Sequence, residues 1–248
     1  MKLIKIKPNT SGNRNYVKID TKKLDKKPLL KNCLLGKNNT AGRNNTGKIT
    51  IRHKGGGHKK KYRILNQYKV NNFVGVVCTL EYDPYRNTPI ISVFDYENKH
   101  YFYMIAPKHI KKGDIIKIGK NAELKTGHRL PLSKIPVGSF IHNISTSPNL
   151  TGILSRSAGT FSQIIEKNSS HSKIKLSSNK IINLPLECQA TLGIVDNENF
   201  FLTTVGKAGR SRWFNKRPCT RGVAMNPVDH PNGGGEGKKS GQKRTPWG

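Results

Sequence analysis

Asp229-His230 is the first pair in this chain whose types could do chemistry, because an imidazole held by a carboxylate acts as a general base. Their adjacency argues against it. Neighbouring residues in an extended segment point to opposite sides, so Asp229 is badly placed to orient the ring. His53 and His58 bracket three glycines, but no nearby cysteine or carboxylate completes a metal set. Cys33, Cys78, Cys188 and Cys219 are too far apart for a Cys-x-x-Cys pair. They read as small apolar residues in a reducing compartment. Gly42-Arg43-Asn44-Asn45-Thr46-Gly47-Lys48 has phosphate-loop spacing through its lysine, yet Ile49 stands where Ser or Thr must ligate magnesium. No serine or cysteine sits in a nucleophile motif. The expectation is a protein that is not an enzyme, with no catalytic residue, no protein-held metal and no cofactor.

The chemistry that remains is binding. Arg52-His53-Lys54-Gly55-Gly56-Gly57-His58-Lys59-Lys60-Lys61-Tyr62-Arg63 is a cationic loop around three glycines. A second triple, Gly233-Gly234-Gly235, ends a stretch interrupted by Pro227 and Pro231. Before it stand Lys207, Arg210, Arg212, Lys216, Arg217 and Arg221, and after it Lys238, Lys239, Lys243 and Arg244. Proline removes donors and fixes φ, and consecutive glycines let backbone approach another surface closely. Such stretches have little to bury and long structureless loops are uncommon in compact domains. The expectation is that a partner outside the chain orders residues 221–237. Backbone amides can face phosphates directly, with flanking cations supplying charge.

Charge distribution agrees. The formal net charge is +31, which opposes compaction unless a polyanion neutralises it. Residues 1–63 hold 19 Lys and Arg against 2 acids, residues 64–206 hold 16 against 10, and residues 207–248 hold 10 against 2. An ordinary centre lies between two basic extensions. No run of about 18 apolar residues is present to span a bilayer, so neither a membrane nor a small-molecule substrate is expected as a partner.

The elements that must carry these loops read as β. Residues 1–63 form an extended basic arm punctuated by Pro8, Gly12, Pro28, Gly36, Gly42 and Gly47. Strands are expected at 73–80, 89–94, 100–105 and 115–118, a small antiparallel barrel. Residues 119–136 read as a connector. Further strands are expected at 137–144, 161–166, 173–176, 180–184 and 191–195, five short strands that fit an SH3-like barrel. Arg156 lies in the small-residue loop Ser155-Arg156-Ser157-Ala158-Gly159-Thr160, where backbone can approach RNA. Tyr82, Tyr85, Tyr101 and Tyr103 read as core aromatics rather than base-stacking rings. Trp213 reads as a packing residue of the second barrel.

Ten blocks, in order, carry a resemblance. They include residues 42–50 with Arg52 to Lys59, Glu81-Tyr82-Asp83-Pro84-Tyr85-Arg86, Ile135-Pro136-Val137-Gly138, Arg156 to Thr160, Gly206-Lys207-Ala208-Gly209-Arg210, Arg221 through Gly237, and Thr245-Pro246-Trp247-Gly248. They resemble the ribosomal protein L-two family, the universal second protein of the large ribosomal subunit. The resemblance implies an all-β fold: an OB-fold barrel, then an SH3-like barrel, with long basic irregular extensions at both ends. The domains are expected at 1–63 (N-terminal extension), 64–125 (OB-fold), 126–205 (SH3-like) and 206–248 (C-terminal extension). It implies a structural constituent of the large subunit, bound to its rRNA near the peptidyl-transferase centre and supporting subunit association and translation. Its partners would be large-subunit rRNA, other large-subunit proteins and the small subunit at the interface.

The expected RNA contacts are Arg43, Arg52, His53, Lys54, Gly55, Gly56, Gly57, His58, Lys59, Lys60 and Arg63 in the arm, and Arg86 and Arg156 in the barrels. In the C-terminal extension they are Lys207, Arg210, Arg212, Arg217, Arg221, Met225, Asn226, His230, Gly233, Gly234 and Gly235. The chain departs from the family at Asn232, where a histidine is usual, and around Pro148 and Asn149, where glycines are usual. It ends at Gly248, where the family continues into a basic tail. The family's start falls at the very N-terminus, leaving no room for a presequence. With an Asn, Lys and Ile bias, this implies a product made inside an organelle. Gly222-Val223-Ala224-Met225 is most similar to alphaproteobacterial members, which favours a mitochondrion over a plastid. The competing reading is a free-standing OB-type single-strand binder or translation factor, which would show stacking aromatics on one barrel face and need no long arms.

Overall fold

A computed structural model describes residues 1–65, 72–148, 150–235 and 244–248. Asn149, Glu236, Gly237, Lys238, Lys239 and Lys243, on which sequence expectations fell, lie outside the described residues. The chain divides into two compact units: residues 1–37 with 59–206, and residues 38–58 with 207–248.

The first unit is all β. Its strands are β1 (Leu3–Lys5), β2 (Val17–Ile19), β3 (Leu34–Gly36), β4 (Lys61–Arg63), β5 (Asn72–Glu81), β6 (Ile90–Asp95), β7 (Tyr101–Ile105), β8 (Ile115–Gly119), β9 (Arg129–Pro131), β10 (Phe140–His142), β11 (Ile144–Ser145), β12 (Gly152–Leu154), β13 (Ser162–Lys167), β14 (His171–Lys175), β15 (Ile181–Pro185) and β16 (Gln189–Leu192). Ten of them form one sheet in the order β15-β14-β13-β10-β16-β9-β8-β5-β6-β7. A single parallel contact, Ile118 beside Arg129, joins its two halves.

The OB-fold half is β5–β8. β6 runs between β5 and β7 and buries almost every residue, as a central strand must. Phe73, Val77, Ile91, Val93, Phe102, Met104, Ile116 and Ile118 form its core. Each full burial of such a side chain is worth about 1.5–3 kcal/mol. Gly75 stands inside β5 because a Cβ there would overlap the Phe94 carbonyl and the Phe73 ring. The SH3-like half, β9–β16, has its own core of Leu130, Leu132, Ile135, Ile141, Ile144, Ile164, Ile174, Leu184 and Leu192. β14 shows the clean alternation of a half-buried strand, with Ser172 and Ile174 inside.

Three local features differ from the sequence reading. The connector holds β9, which pairs with β16 at Gln189, Ala190 and Thr191. Pro131 falls at the end of that strand, where a missing donor is tolerated. The strand expected at 137–144 is broken at Asn143, whose φ of 51° turns the chain from β10 into β11. In the N-terminal stretch, β1 pairs with β2 and β3 with β4. Leu24 is buried. The amides of Leu29 and Leu30 donate to Glu81 Oε1 at 2.9 Å and to the Tyr103 hydroxyl at 3.0 Å, and that hydroxyl donates to Glu81 Oε2 at 2.9 Å. Buried Glu81 thus fixes a basic segment by hydrogen bonds that scattered lysines do not announce.

Among its described residues, the second unit has one short α-helix, α1 (Ala208–Trp213), a 3-10 turn at Gly222–Ala224, and otherwise turns and irregular chain.

Candidate nucleic-acid interface

In the second unit the phosphate-loop look-alike closes on itself. The Asn44 side-chain oxygen accepts from the amides of Thr46 and Lys48, each at 3.0 Å, and the Asn44 amide donates to the Lys48 carbonyl at 2.9 Å. Amides that would cradle a phosphate are occupied by this Asx turn. Arg43 bridges to Ile49 and its side chain is exposed.

Arg52, His53, Lys54, Gly55, Gly56, Gly57 and His58 continue into a turn that pairs with the C-terminal segment. Gly55 donates to the Asn215 carbonyl at 3.2 Å, His58 to the Trp213 carbonyl at 3.1 Å, and Arg217 to the His53 carbonyl at 3.0 Å. The Trp213 ring meets His58 edge-on at 5.2 Å between centroids. Lys207 lies 5.4 Å and Arg210 5.6 Å from the same ring. Trp213, expected to pack on the second barrel, is instead 43% exposed, and its ring partner is His58. Arg52 faces the Trp247 ring at 5.6 Å.

The stretch after Arg221 is not structureless. Gly222–Ala224 make a 3-10 turn. The His230 amide donates to the Asn226 carbonyl at 3.2 Å, Gly233 to the His230 carbonyl at 2.8 Å, and Gly234 to the Met225 carbonyl at 3.1 Å. The loop expected to be ordered by a partner outside the chain carries backbone bonds of its own between residues 221 and 235. His230 is 8% exposed. Its ring fills the space a Cβ of Gly222 would need, and a Cβ at Gly233 would overlap the Asn226 carbonyl. His230 Nδ1 accepts from the Asn232 amide at 3.0 Å, which leaves the ring proton on Nε2. Asp229 is exposed and does not orient that ring. Met225 is half-buried, while Asn226, Arg221, Gly234 and Gly235 are exposed.

The first unit holds Lys59, Lys60, Arg63, Arg86 and Arg156. Lys59 is exposed, and Lys60 lies 5.9 Å from the Tyr85 ring. Arg63 is 6% exposed, with its guanidinium donating to the Lys61 carbonyl at 2.9 Å. Arg86 pairs with Asp83 at 2.5 Å, donates to the Tyr62 hydroxyl at 2.9 Å and lies over that ring at 4.9 Å. Arg156 donates to the Gly152 carbonyl at 3.1 Å. Burial, then the charge of Arg86, push its pKa down. Sequence reasoning passed over Arg129. It is 3% exposed, donates from Nε to Gln189 Oε1 at 3.0 Å, and has no acidic partner among the described residues. Burial, then Arg156, push it down to about 10. The one signal in sequence was a basic residue directly before Leu130-Pro131-Leu132, in a segment read as loop.

Of the tyrosines, Tyr103 is fully buried and burial raises its pKa, whereas Tyr82, Tyr85 and Tyr101 are 48%, 41% and 40% exposed.

An all-β first unit and a cation-rich, glycine-jointed second unit define a nucleic-acid-binding protein by class. Residues 30–118 match the family described as "Ribosomal Proteins L2, RNA binding N-terminal domain", and residues 125–248 match "Ribosomal Proteins L2, C-terminal domain". The chain is similar over its whole length to proteins named "Large ribosomal subunit protein uL2". It is 44% identical to that of Blochmanniella pennsylvanica, 43% to that of Granulibacter bethesdensis and 45% to that of Gluconacetobacter diazotrophicus, covering 91% of each. The chain belongs to the ribosomal protein L2 family. It is a structural RNA-binding protein and not an enzyme.

Proposed function

We propose that this chain serves a mitochondrial ribosome, with its second unit reaching into rRNA near the peptidyl-transferase centre. Membership of the L2 family makes it a structural constituent of the large ribosomal subunit that binds rRNA and neighbouring ribosomal proteins. The observation that carries the finer reading is the make-up of the second unit. It holds fourteen Lys and Arg against two acids and, among its described residues, no buried hydrophobic side chain. Such a surface is stable in company with a polyanion.

The loop Met225 to Gly235 provides the contact closest to the centre. The turn His53 to His58, together with Arg43, Arg52, Lys207, Arg210, Arg212, Arg217 and Arg221, supplies phosphate contacts. Lys59, Lys60, Arg86 and Arg156 add contacts from the barrel unit, and Arg63, 6% exposed, adds its charge. The four-part division at 63, 125 and 205 describes the functional segments: arm, OB-fold, SH3-like barrel and C-terminal extension. Contacts at the subunit interface support association, and magnesium bridges loops only as part of the RNA. The Asn, Lys and Ile bias and the Gly222-Val223-Ala224-Met225 wording favour a mitochondrion, with a plastid as the alternative.

Sedimentation of an organelle lysate at high salt tests this. The chain is expected with the large subunit at one copy each, in the mitochondrial fraction. Recovery in the plastid fraction would move the address, and recovery at the top of the gradient would make it a loosely bound factor. Changing Lys59, Lys60 and Lys61 together to alanine should flatten the log–log salt slope of rRNA binding by up to about 3. An unchanged slope would remove those lysines from the interface.

A further inference from the structure

Within the second unit, two segments 165 positions apart at His53 and Pro218 meet in an antiparallel bridge between Lys54 and Lys216. The bridging bonds run between the flanking residues: Gly55 donates to the Asn215 carbonyl and Arg217 to the His53 carbonyl. That pattern puts the two lysines at the narrow, non-hydrogen-bonded position of the ladder. Facing residues come closest there, and their side chains share a face. Like charges at such a position repel. Both lysines are exposed, and neither has an ion pair among the described residues.

The apposition is built rather than incidental. His53 and Asn215, each directly before one of the lysines, are left-handed, with φ of 61° and 67°. His and Asn tolerate that conformation better than most residues. A Cβ at Gly57 would stand 2.8 Å from Asn215 Cβ and 3.0 Å from its backbone nitrogen, so only glycine lets the segments close. His53 Nδ1 lies 3.0 Å from the Pro218 carbonyl. Cations crowd the same turn. Arg212 Nη2 lies 3.1 Å from where a Gly56 Cβ would sit, and Arg217 Cδ lies 3.6 Å from the equivalent point of Gly55. Arg212 Nη1 is buried and has no hydrogen-bond partner among the described residues. Buried polar atoms are rarely left unpaired.

We propose that Lys54 and Lys216 are the two jaws of a phosphate clamp, which exists only because the N- and C-terminal segments pair. Its ligand is a backbone phosphodiester of RNA, with Arg212 and Arg217 on the flanks. One anion between the ammonium groups turns their repulsion into attraction, and phosphate contacts of this kind set position without reading sequence. RNA then tightens the bridge, and the bridge presents both segments to RNA as one surface. The proposal rests on the RNA-binding reading above.

The test uses the full chain and transcribed large-subunit rRNA, titrated across salt concentrations, with Lys54→Ala, Lys216→Ala and the double variant. Each single change should lower the salt slope, and the double should lower it by no more than about 1, because one phosphate is shared. In the free protein, Lys216→Ala should slow hydrogen exchange at the Gly55 and Arg217 amides, since the repulsion is gone. In the unaltered chain, RNA should slow the same amides. Unchanged slopes, or a double variant that loses about 2, would overturn the clamp while leaving RNA binding intact. An unaltered chain with no salt-dependent binding would instead overturn the RNA-binding reading itself.

Discussion

Every buried hydrophobic side chain among the described residues lies in the unit formed by residues 1–37 and 59–206, and none in the unit formed by 38–58 and 207–248. The first unit orders itself by removing apolar surface from water around two cores. The second is held by backbone bonds across segments, by glycines that make room, and by one buried histidine. A single chain can thus carry a self-sufficient scaffold beside a surface whose charge is answered from outside. The glycines mark the division more finely. At Gly57, Gly222 and Gly233 the missing Cβ makes room for the protein itself, whereas Gly235, with φ of 97°, has none of the described residues within 4 Å of that point. Glycine content alone does not measure contact with RNA.

The sharpest way to break this comparison is through the core. Ile141→Ala empties a fully buried position in the SH3-like half and should destabilise the first unit by about 2–5 kcal/mol in urea unfolding. Next comes acid. Burial holds the His142 imidazole down to about 4, below the roughly 6.5 of an unfolded histidine. The neutral ring is favoured in the fold, so this contribution is complete above pH of about 6.5 and is lost as pH falls through about 4, on the order of 3 kcal/mol. A His142→Gln variant should show a flatter stability–pH curve over that window. If its curve matches that of the unaltered chain, the buried ring is not the source.

A smaller effect, confined to the second unit, is expected from Gly57→Ala. Its new Cβ strikes Asn215, which costs about 1–3 kcal/mol. It should be read as faster exchange at the Gly55, His58 and Arg217 amides with the urea midpoint of the first unit unchanged. Loss of both together would mean the two units do not stand independently. The smallest effect is Val228→Ala at a side chain 92% exposed, within about 0.5 kcal/mol. A larger loss would reveal apolar burial in the second unit.

Much of the scaffold was legible. The runs that became β5 to β8 and β13 to β16 carry apolar residues bounded by turn residues, and local pattern suffices for such strands. β9 was hidden because Gly127 and Pro131 look like breakers, and its pairing partner stands 58 positions beyond Pro131, at Gln189. The fixing of Leu29 and Leu30 on Glu81 and Tyr103 was hidden for the same reason. Of the candidate interface, the sequence exposed the cations and glycines but not their geometry. Arg63 and Arg129 read alike as basic residues, and only the fold buries both. The triple-glycine turns look equivalent in sequence, yet one closes on a distant segment and the other closes around its own histidine.

By itself, then, the sequence determined the class of this protein: β-patterned halves, a charge that demands a polyanion, and ordered motifs of one ribosomal family. These are properties of composition and short-range spacing, which survive without three-dimensional information. Tertiary structure alone decided which cations are buried, which glycines serve the protein's own closure, and that Lys54 faces Lys216. Each of these depends on contacts between residues far apart in the chain, and no local periodicity encodes where such segments meet.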